Sequence, residues 1–211
     1  KITAILVMVF ILAQVVGLLI TNQFIDYSPT TGEVEYKDLP YDIERPDVGE
    51  SQAYIFIILG VLLGTGLLLL LIRFKKTNLW KLWYGIAVVI TLGVALSAFI
   101  DEVVALIIAL VIAYFKILRP NVIIHNISEV FMYGGIAAIF VPVLNVFSAL
   151  MLLLLISVYD MVAVWKSKHM VKMAKFQSDS KLFAGLSVPY SGKGKPESFS
   201  DISSGKKEEA K

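Results

Sequence analysis

The sequence predicts an all-α membrane protein, a bundle of six transmembrane helices. Its 211 residues are 57% hydrophobic and only 17% charged, with a mean hydropathy of +0.77. A soluble domain cannot bury that much apolar surface, whereas a membrane bundle can. Six apolar runs recur along the chain, and a helix is the structure that satisfies its own backbone in lipid. Lysine and arginine cluster after the second, fourth and sixth runs, which is typical of a chain that crosses the membrane repeatedly.

The first two predicted spans cover residues 2–20 and 53–72 and flank a long acidic loop. No small-residue cleavage site follows the first run, which favours a spanning helix over a cleaved signal peptide. The loop, residues 21–52, carries eight acidic side chains against two basic ones, and we expect it to be solvated outside the membrane. In the second span, Gly60 and Gly64 have the spacing that lets another helix approach closely, so we expect helix packing there.

The third and fourth predicted spans cover residues 82–100 and 103–118. Trp80 and Trp83 stand where the third span begins, a position at which tryptophan commonly anchors a helix at the membrane interface. An Asp-Glu pair separates the two spans and is expected to form a solvated turn. The fourth run is short, and Lys116 lies where it closes.

The fifth predicted span, residues 122–141, begins with polar side chains. His125 is expected to be a polar residue near the helix end rather than a ligand. Glu129 lies about two turns into the helix, so we expect it to snorkel to the interface or to serve the helix end. The sequence contains two histidines and no cysteine, and we expect neither a metal site nor a cofactor.

The sixth predicted span, residues 145–165, carries one acid, Asp160, inside an almost wholly apolar run. A carboxylate at membrane depth costs about 2.5–3.5 kcal/mol on insertion scales, and such residues usually have a function. Asp160 precedes Trp165 by five residues, which corresponds to about 7–8 Å along a helix axis. It is therefore expected inside the apolar zone, yet close enough to the interface for water to reach it through a cleft.

The chain divides into a transmembrane domain, residues 1–165, and a polar segment, residues 166–211. The polar segment begins as a basic amphipathic stretch suited to an anionic membrane surface. It continues as a tail rich in Gly, Ser, Lys and Glu, a composition typical of disorder. By the positive-inside rule, the N-terminus and residues 166–211 are expected in the cytoplasm, with residues 21–52 outside. Asp160 then lies near the cytoplasmic end of its span.

Six spans, a long first external loop and the pair Tyr159-Asp160 late in the sixth span resemble the N-terminal part of presenilin, a family of GxGD-type intramembrane aspartyl proteases. The resemblance covers the whole chain and is closest to archaeal members, because eukaryotic additions are absent. In that family the Tyr-Asp aspartate works with a second aspartate, in a Gly-x-Gly-Asp motif on the seventh span. This motif does not occur in residues 1–211, so we expect the second aspartate outside this chain, on later spans.

The resemblance implies an intramembrane aspartyl endopeptidase in which Asp160 is one of two catalytic aspartates. Two close carboxyls that share a proton supply a base and an acid at once, because both cannot ionise cheaply at short range. By the same resemblance, Tyr159 lines the active site, and the substrates are single-span membrane proteins in the lipid bilayer. The residues themselves leave open that Tyr159 only packs in the bundle, with its hydroxyl bound to a neighbour.

Two alternatives remain when the residues are considered without the resemblance. Asp160 could bind the ion of a proton- or ion-coupled transporter or channel, since intramembrane acids often serve that use. A non-enzymatic scaffold with Asp160 in a structural ion pair is disfavoured, because we expect no lysine or arginine within the membrane. The net charge of +2 gives no indication of nucleic-acid binding, and the formation of a homo-oligomer is left open.

Overall fold

The computed structural model describes residues 2–27, 34–49, 51–119, 121–180, 182 and 184–186. The fold is helical apart from one short β-hairpin in the first loop, which confirms the predicted all-α membrane class. A 3-10 turn, Val141–Val143, and a π-helical turn, Val162–Lys166, flank the sixth helix. The elements are α1 (Ile2–Gln23), β1 (Ile25–Tyr27), β2 (Val34–Tyr36), α2 (Ala53–Arg73), α3 (Thr77–Ser97), α4 (Glu102–Leu118), α5 (Val122–Phe140), α6 (Val146–Met161) and α7 (His169–Asp179).

Five helical segments are long and apolar enough to cross a membrane, and they coincide with the first, second, third, fifth and sixth predicted spans. The chain is therefore a multi-pass integral membrane protein. The remaining helix, α4, has 17 residues. At about 1.5 Å per residue it is slightly shorter than the hydrocarbon layer of roughly 30 Å. The count of six spans stays a prediction for this reason.

The helices pack around α5, which contacts both α1 and α3, while α4 packs against α3. The second helix, α2, packs mainly against α6 and also touches α3 and α7. One apolar cluster joins α2, α3, α4 and α5 through Leu68, Leu71, Trp80, Tyr84, Val88, Leu92, Ala109, Ala113, Met132 and Leu182. A second cluster, near the first loop, contains Ile20, Phe24, Leu39, Val94, Ala95 and Ala138.

Close helix approach occurs at glycines of α5 rather than at those of α2. A Cβ atom on Gly135 would collide with the carbonyl oxygen of Thr91 on α3, so only glycine allows this contact. Gly134 lies equally close to α1. Around Gly60 and Gly64, by contrast, an added Cβ would meet no atom within 4 Å among the described residues. The expectation of helix packing at Gly60 and Gly64 is therefore wrong.

Trp80 is a core residue and not the interfacial anchor that the sequence suggests. The third helix begins at Thr77, earlier than expected, and this places Trp80 within its first turn. Only 6% of Trp80 is exposed, and its ring lies 5.6 Å from that of Tyr84 and 6.3 Å from that of Phe176 on α7. Because Trp80 contacts Phe176, it seats α7 against the bundle.

The described part of the first loop packs onto the bundle instead of remaining wholly solvated. Its hairpin pairs β1 with β2 in antiparallel register, with Asp26 opposite Glu35. Further along, Tyr41 has a left-handed backbone with φ of 64°. Its ring lies against Gly93 of α3, and its hydroxyl donates a hydrogen bond of 2.9 Å to the backbone carbonyl of Glu102. The loop thereby covers the junction between α3 and α4.

Candidate active site

Asp160 occupies the last α-helical turn of α6. The helix begins correctly beside Asn145, whose side chain accepts a hydrogen bond of 2.8 Å from the backbone N–H of Ser148. Leu152, Ile156 and Asp160 are half-buried and follow one another at four-residue intervals, so they share one helical face. Within the described part of the chain, the Asp160 carboxylate forms neither a hydrogen bond nor an ion pair.

The helix changes its winding immediately after Asp160. Residues Val162–Lys166 form a π-helical turn, and the backbone N–H of Ser167 donates to the carbonyl of Val162 at 2.9 Å. Lys168 then adopts a left-handed conformation, with φ of 53°, and α7 starts at His169. Single π turns inside helices are rare and occur frequently at functional sites. The position of this one marks the region around Asp160.

Tyr159, beside Asp160, connects three helices through its hydroxyl. The oxygen lies 2.9 Å from Thr65 Oγ1 of α2 and 3.0 Å from His169 Nε2 of α7. The rings of Tyr159 and His169 are also in contact, with centroids 5.7 Å apart. A hydroxyl bound to neighbouring helices fits the structural alternative raised for Tyr159. Its place in the lining of an active site stays a prediction.

An apolar groove of about 320 Å³ opens next to this junction, between α2, α3 and α7. Thr65, which contacts the Tyr159 hydroxyl, forms part of its wall. The other lining residues are Val61, Gly64, Leu68, Trp80, Trp83, Tyr84, Ala87 and Met173. The groove therefore brings an apolar surface close to the helical turn that carries Asp160.

A second polar cluster lies between α3, α4 and α5, and its centre is an ion pair. Lys116 Nζ lies 2.8 Å from Glu129 Oε1, and both side chains are almost wholly buried. Lys116 also donates to Ser128 Oγ at 2.7 Å, and the Tyr84 hydroxyl donates to Glu129 at 3.3 Å. Two expectations are thus wrong: Glu129 does not snorkel, and a lysine does lie inside the bundle. That lysine pairs with Glu129 and not with Asp160.

The same end of α5 holds the chain that follows α7. His125 is 4% exposed, and its Nε2 lies 2.7 Å from the carbonyl oxygen of Gly185, so this nitrogen donates. The Tyr133 side chain interacts with Glu129 and with the backbone of Leu186. Residues 182 and 184–186 are therefore attached to α5. In the described ranges, no three acidic or histidine side chains come together as a possible metal site.

Sequence reasoning found Asp160 and Tyr159 but missed Thr65 and His169 as their neighbours. Thr65 lies 94 residues before Tyr159 and shares no sequence spacing with it. His169 stands ten residues after Tyr159. A regular α-helix would not place these two residues on one face, so only the π turn and the left-handed Lys168 bring them together.

These features define a multi-pass helical membrane protein with a free acid inside an apolar span. A comparison with protein-family models matches residues 7–210 to the family described as signal-peptide peptidase, presenilin aspartyl protease. The chain belongs to this family of aspartic intramembrane proteases, which act on membrane helices in the lipid bilayer. The resemblance noted from Tyr159-Asp160 is thereby confirmed at the level of the family, while a closest relationship to archaeal members stays a prediction. No curated protein and no solved structure matches the chain.

Proposed function

We propose that this chain supplies one half of the active site of an intramembrane aspartyl endopeptidase, with Asp160 as one of its two catalytic aspartates. One observation carries the assignment: Asp160 is a half-buried acid in an apolar span whose carboxylate has no partner among the described side chains. Glu129, the other acid within the spanning helices, is enclosed and neutralised by Lys116. Of the two, only Asp160 is available to a second carboxyl.

The proposed chemistry needs that second carboxyl, which we place outside residues 1–211. Hydrolysis of a peptide bond requires a base that activates water and an acid that protonates the carbonyl oxygen and then the leaving amine. A pair of carboxyls sharing one proton provides both groups, and its two ionisations belong to the pair. Asp160 would therefore share a proton with an aspartate carried by a later span.

The proposed substrates are single-span membrane proteins, cut near the cytoplasmic face. The apolar groove beside Thr65 supports this class of substrate, because its walls match the side chains of a membrane helix. The proposed orientation places the N-terminus and residues 166–211 in the cytoplasm and the hairpin loop outside. It is supported by the basic side chains around α7, which suit an anionic leaflet.

The test uses the full-length protein in liposomes with a single-span reporter substrate. Asp160→Asn and Asp160→Ala should both abolish cleavage, whereas Asp101→Asn, at an exposed cap where asparagine serves as well, should cleave normally. A peptidomimetic of the tetrahedral intermediate should inhibit the wild type. Normal cleavage by Asp160→Asn would refute the assignment. Proton uptake that depends on Asp160, without any cleavage, would establish the transporter alternative instead.

A further inference from the structure

The hydrogen bonds around His169 have a direction that the geometry fixes. Ser167 Oγ donates its single hydrogen to the Val162 carbonyl at 3.0 Å, so it must accept from His169 Nδ1, which lies 2.6 Å away. In a neutral imidazole with hydrogen on Nδ1, the other nitrogen is an acceptor. His169 Nε2 therefore accepts the hydroxyl hydrogen of Tyr159, whose oxygen in turn accepts from Thr65.

This chain acts on the part of α6 whose rotation is least determined. Beyond Met161 the helix leaves the α-helical pattern, so its own backbone bonds do not prescribe where the last turn points. Tyr159 precedes the π turn and is held from two sides, by α2 through Thr65 and by α7 through His169. Because Asp160 is the next residue, any rotation of the Tyr159 turn also changes the direction of its carboxylate.

We propose that His169 is a positioning residue of the Asp160 site. By accepting the Tyr159 hydroxyl, it fixes the rotation of the helical turn that presents the carboxylate to its partner. The proposal rests on the proposed function of Asp160. It assigns to His169 no contact with the substrate, and it makes the bond between Tyr159 and His169 the element that matters.

The seating of α7 does not depend on this bond, which makes the proposal testable by substitution. Phe176 contacts Trp80, and Met173 lines the groove between α2 and α3. Leu182, beyond the helix, is 3% exposed within the larger apolar cluster. Loss of the His169 side chain should therefore leave α7 in place and release only Tyr159.

The decisive variants separate the acceptor from the ring. His169→Gln can still accept from Tyr159, whereas His169→Phe keeps the ring contact without an acceptor. In the full-length enzyme, His169→Phe should lower kcat by about tenfold while KM changes by less than about twofold, since misplacing a reacting group costs rate more than binding. His169→Gln should recover most of kcat. Ser178→Ala, an exposed change on α7, serves as the matched control.

A double substitution and a spectroscopic measurement complete the test. Tyr159→Phe with His169→Phe should be no slower than Tyr159→Phe alone, because both changes remove the same bond. In ¹⁵N-histidine NMR, His169 should carry its hydrogen on Nδ1 and His125 on Nε2, and Tyr159→Phe should shift only the His169 Nε2 signal.

The possible failures are distinguishable. Cleavage that requires Asp160 but is unchanged in His169→Phe would overturn the positioning role alone, as would an Nε2–H tautomer at His169. A His169→Gln variant as slow as His169→Phe would also overturn it. Cleavage that continues in Asp160→Asn would overturn the proposed function, whatever the histidine spectra show.

Discussion

Lys116 and Glu129 form an ion pair, 2.8 Å from Nζ to Oε1, whose side chains are 1% and 2% exposed. Buried charges are costly unless they are paired and further hydrogen-bonded, and here Ser128 and Tyr84 supply those bonds. The pair consumes the one acid of α5 and ties α4 and α5 together. It therefore separates the structural acid of the bundle from Asp160.

Breaking this pair from one side should destabilise the protein strongly. Lys116→Met or Glu129→Gln is expected to lower the free energy of unfolding by about 3–5 kcal/mol, because the remaining partner is left buried without its counterpart. The double variant Lys116→Met/Glu129→Leu should lose much less. Thermal unfolding in detergent measures both, with Lys172→Met, an exposed lysine on α7, as the control. Additive losses in the double variant would contradict the pairing.

Alanine should have opposite effects at two helical glycines. At Gly135, the new Cβ must push α5 away from the Thr91 carbonyl, and we expect a loss of about 1–3 kcal/mol in stability. At Gly60, where the surrounding space is open, alanine should be neutral or stabilising by up to about 1 kcal/mol through its higher helix propensity. Unfolding midpoints of the two variants decide the matter. Equal destabilisation would mean that Gly60 is also packed.

The docking of the first loop should weaken at alkaline pH. Burial raises the pKa of Tyr41 above its ordinary value of 10.0, and the charges of Glu102 and Asp101 raise it further. Below about pH 10 the phenol is protonated in the folded and unfolded chain, so its contribution to stability is complete. As pH rises through the folded-state pKa, the hydroxyl loses the hydrogen that it donates to the Glu102 carbonyl, and this contribution is lost.

The measurement for Tyr41 is the difference between wild type and Tyr41→Phe in thermal stability between about pH 8 and about pH 11. The difference should be constant at the lower values and shrink above pH 10. Other tyrosines titrate equally in both proteins and cancel in the comparison. A difference that grows with pH would show that the anionic phenol is favoured in the folded loop.

Residues 184–186 should loosen when His125 no longer donates to Gly185. In His125→Phe, hydrogen exchange and proteolysis at these residues should become faster, because the bond of 2.7 Å to the Gly185 carbonyl is lost. His125→Gln retains a donor and should resemble the wild type. Exchange within α7 is the internal reference, since Phe176 continues to contact Trp80. Unchanged exchange at residues 184–186 would show that the backbone contact of Tyr133 is sufficient.

Hydropathy and helix signals in the sequence were enough to predict the membrane class and the position of Asp160. The start of α6 at Asn145 was predictable to within one residue, because an asparagine before an apolar run is a strong N-terminal cap. Asp160 was conspicuous because a charge inside such a run is rare. Both inferences depend on local composition, which the tertiary structure does not alter.

The lateral contacts were not predictable in the same way. Lys116 and Glu129 were interpreted as residues near helix ends, yet α4 and α5 are joined by a short connection, which makes them antiparallel neighbours. Opposite charges at similar distances from that connection were a usable signal for the ion pair. No comparable signal linked Thr65 to Tyr159, because hydropathy does not reveal which faces of distant helices meet.

The π turn after Asp160 gives this region an unusual dependence on chain length. It accommodates one more residue than an α-helical turn, so deletion of a single residue within Val162–Lys166 would restore regular winding and swing everything beyond by about 100°. His169 would then point away from Tyr159 even though every functional side chain was still encoded. Apolar residues in this stretch can replace one another, but their number cannot change.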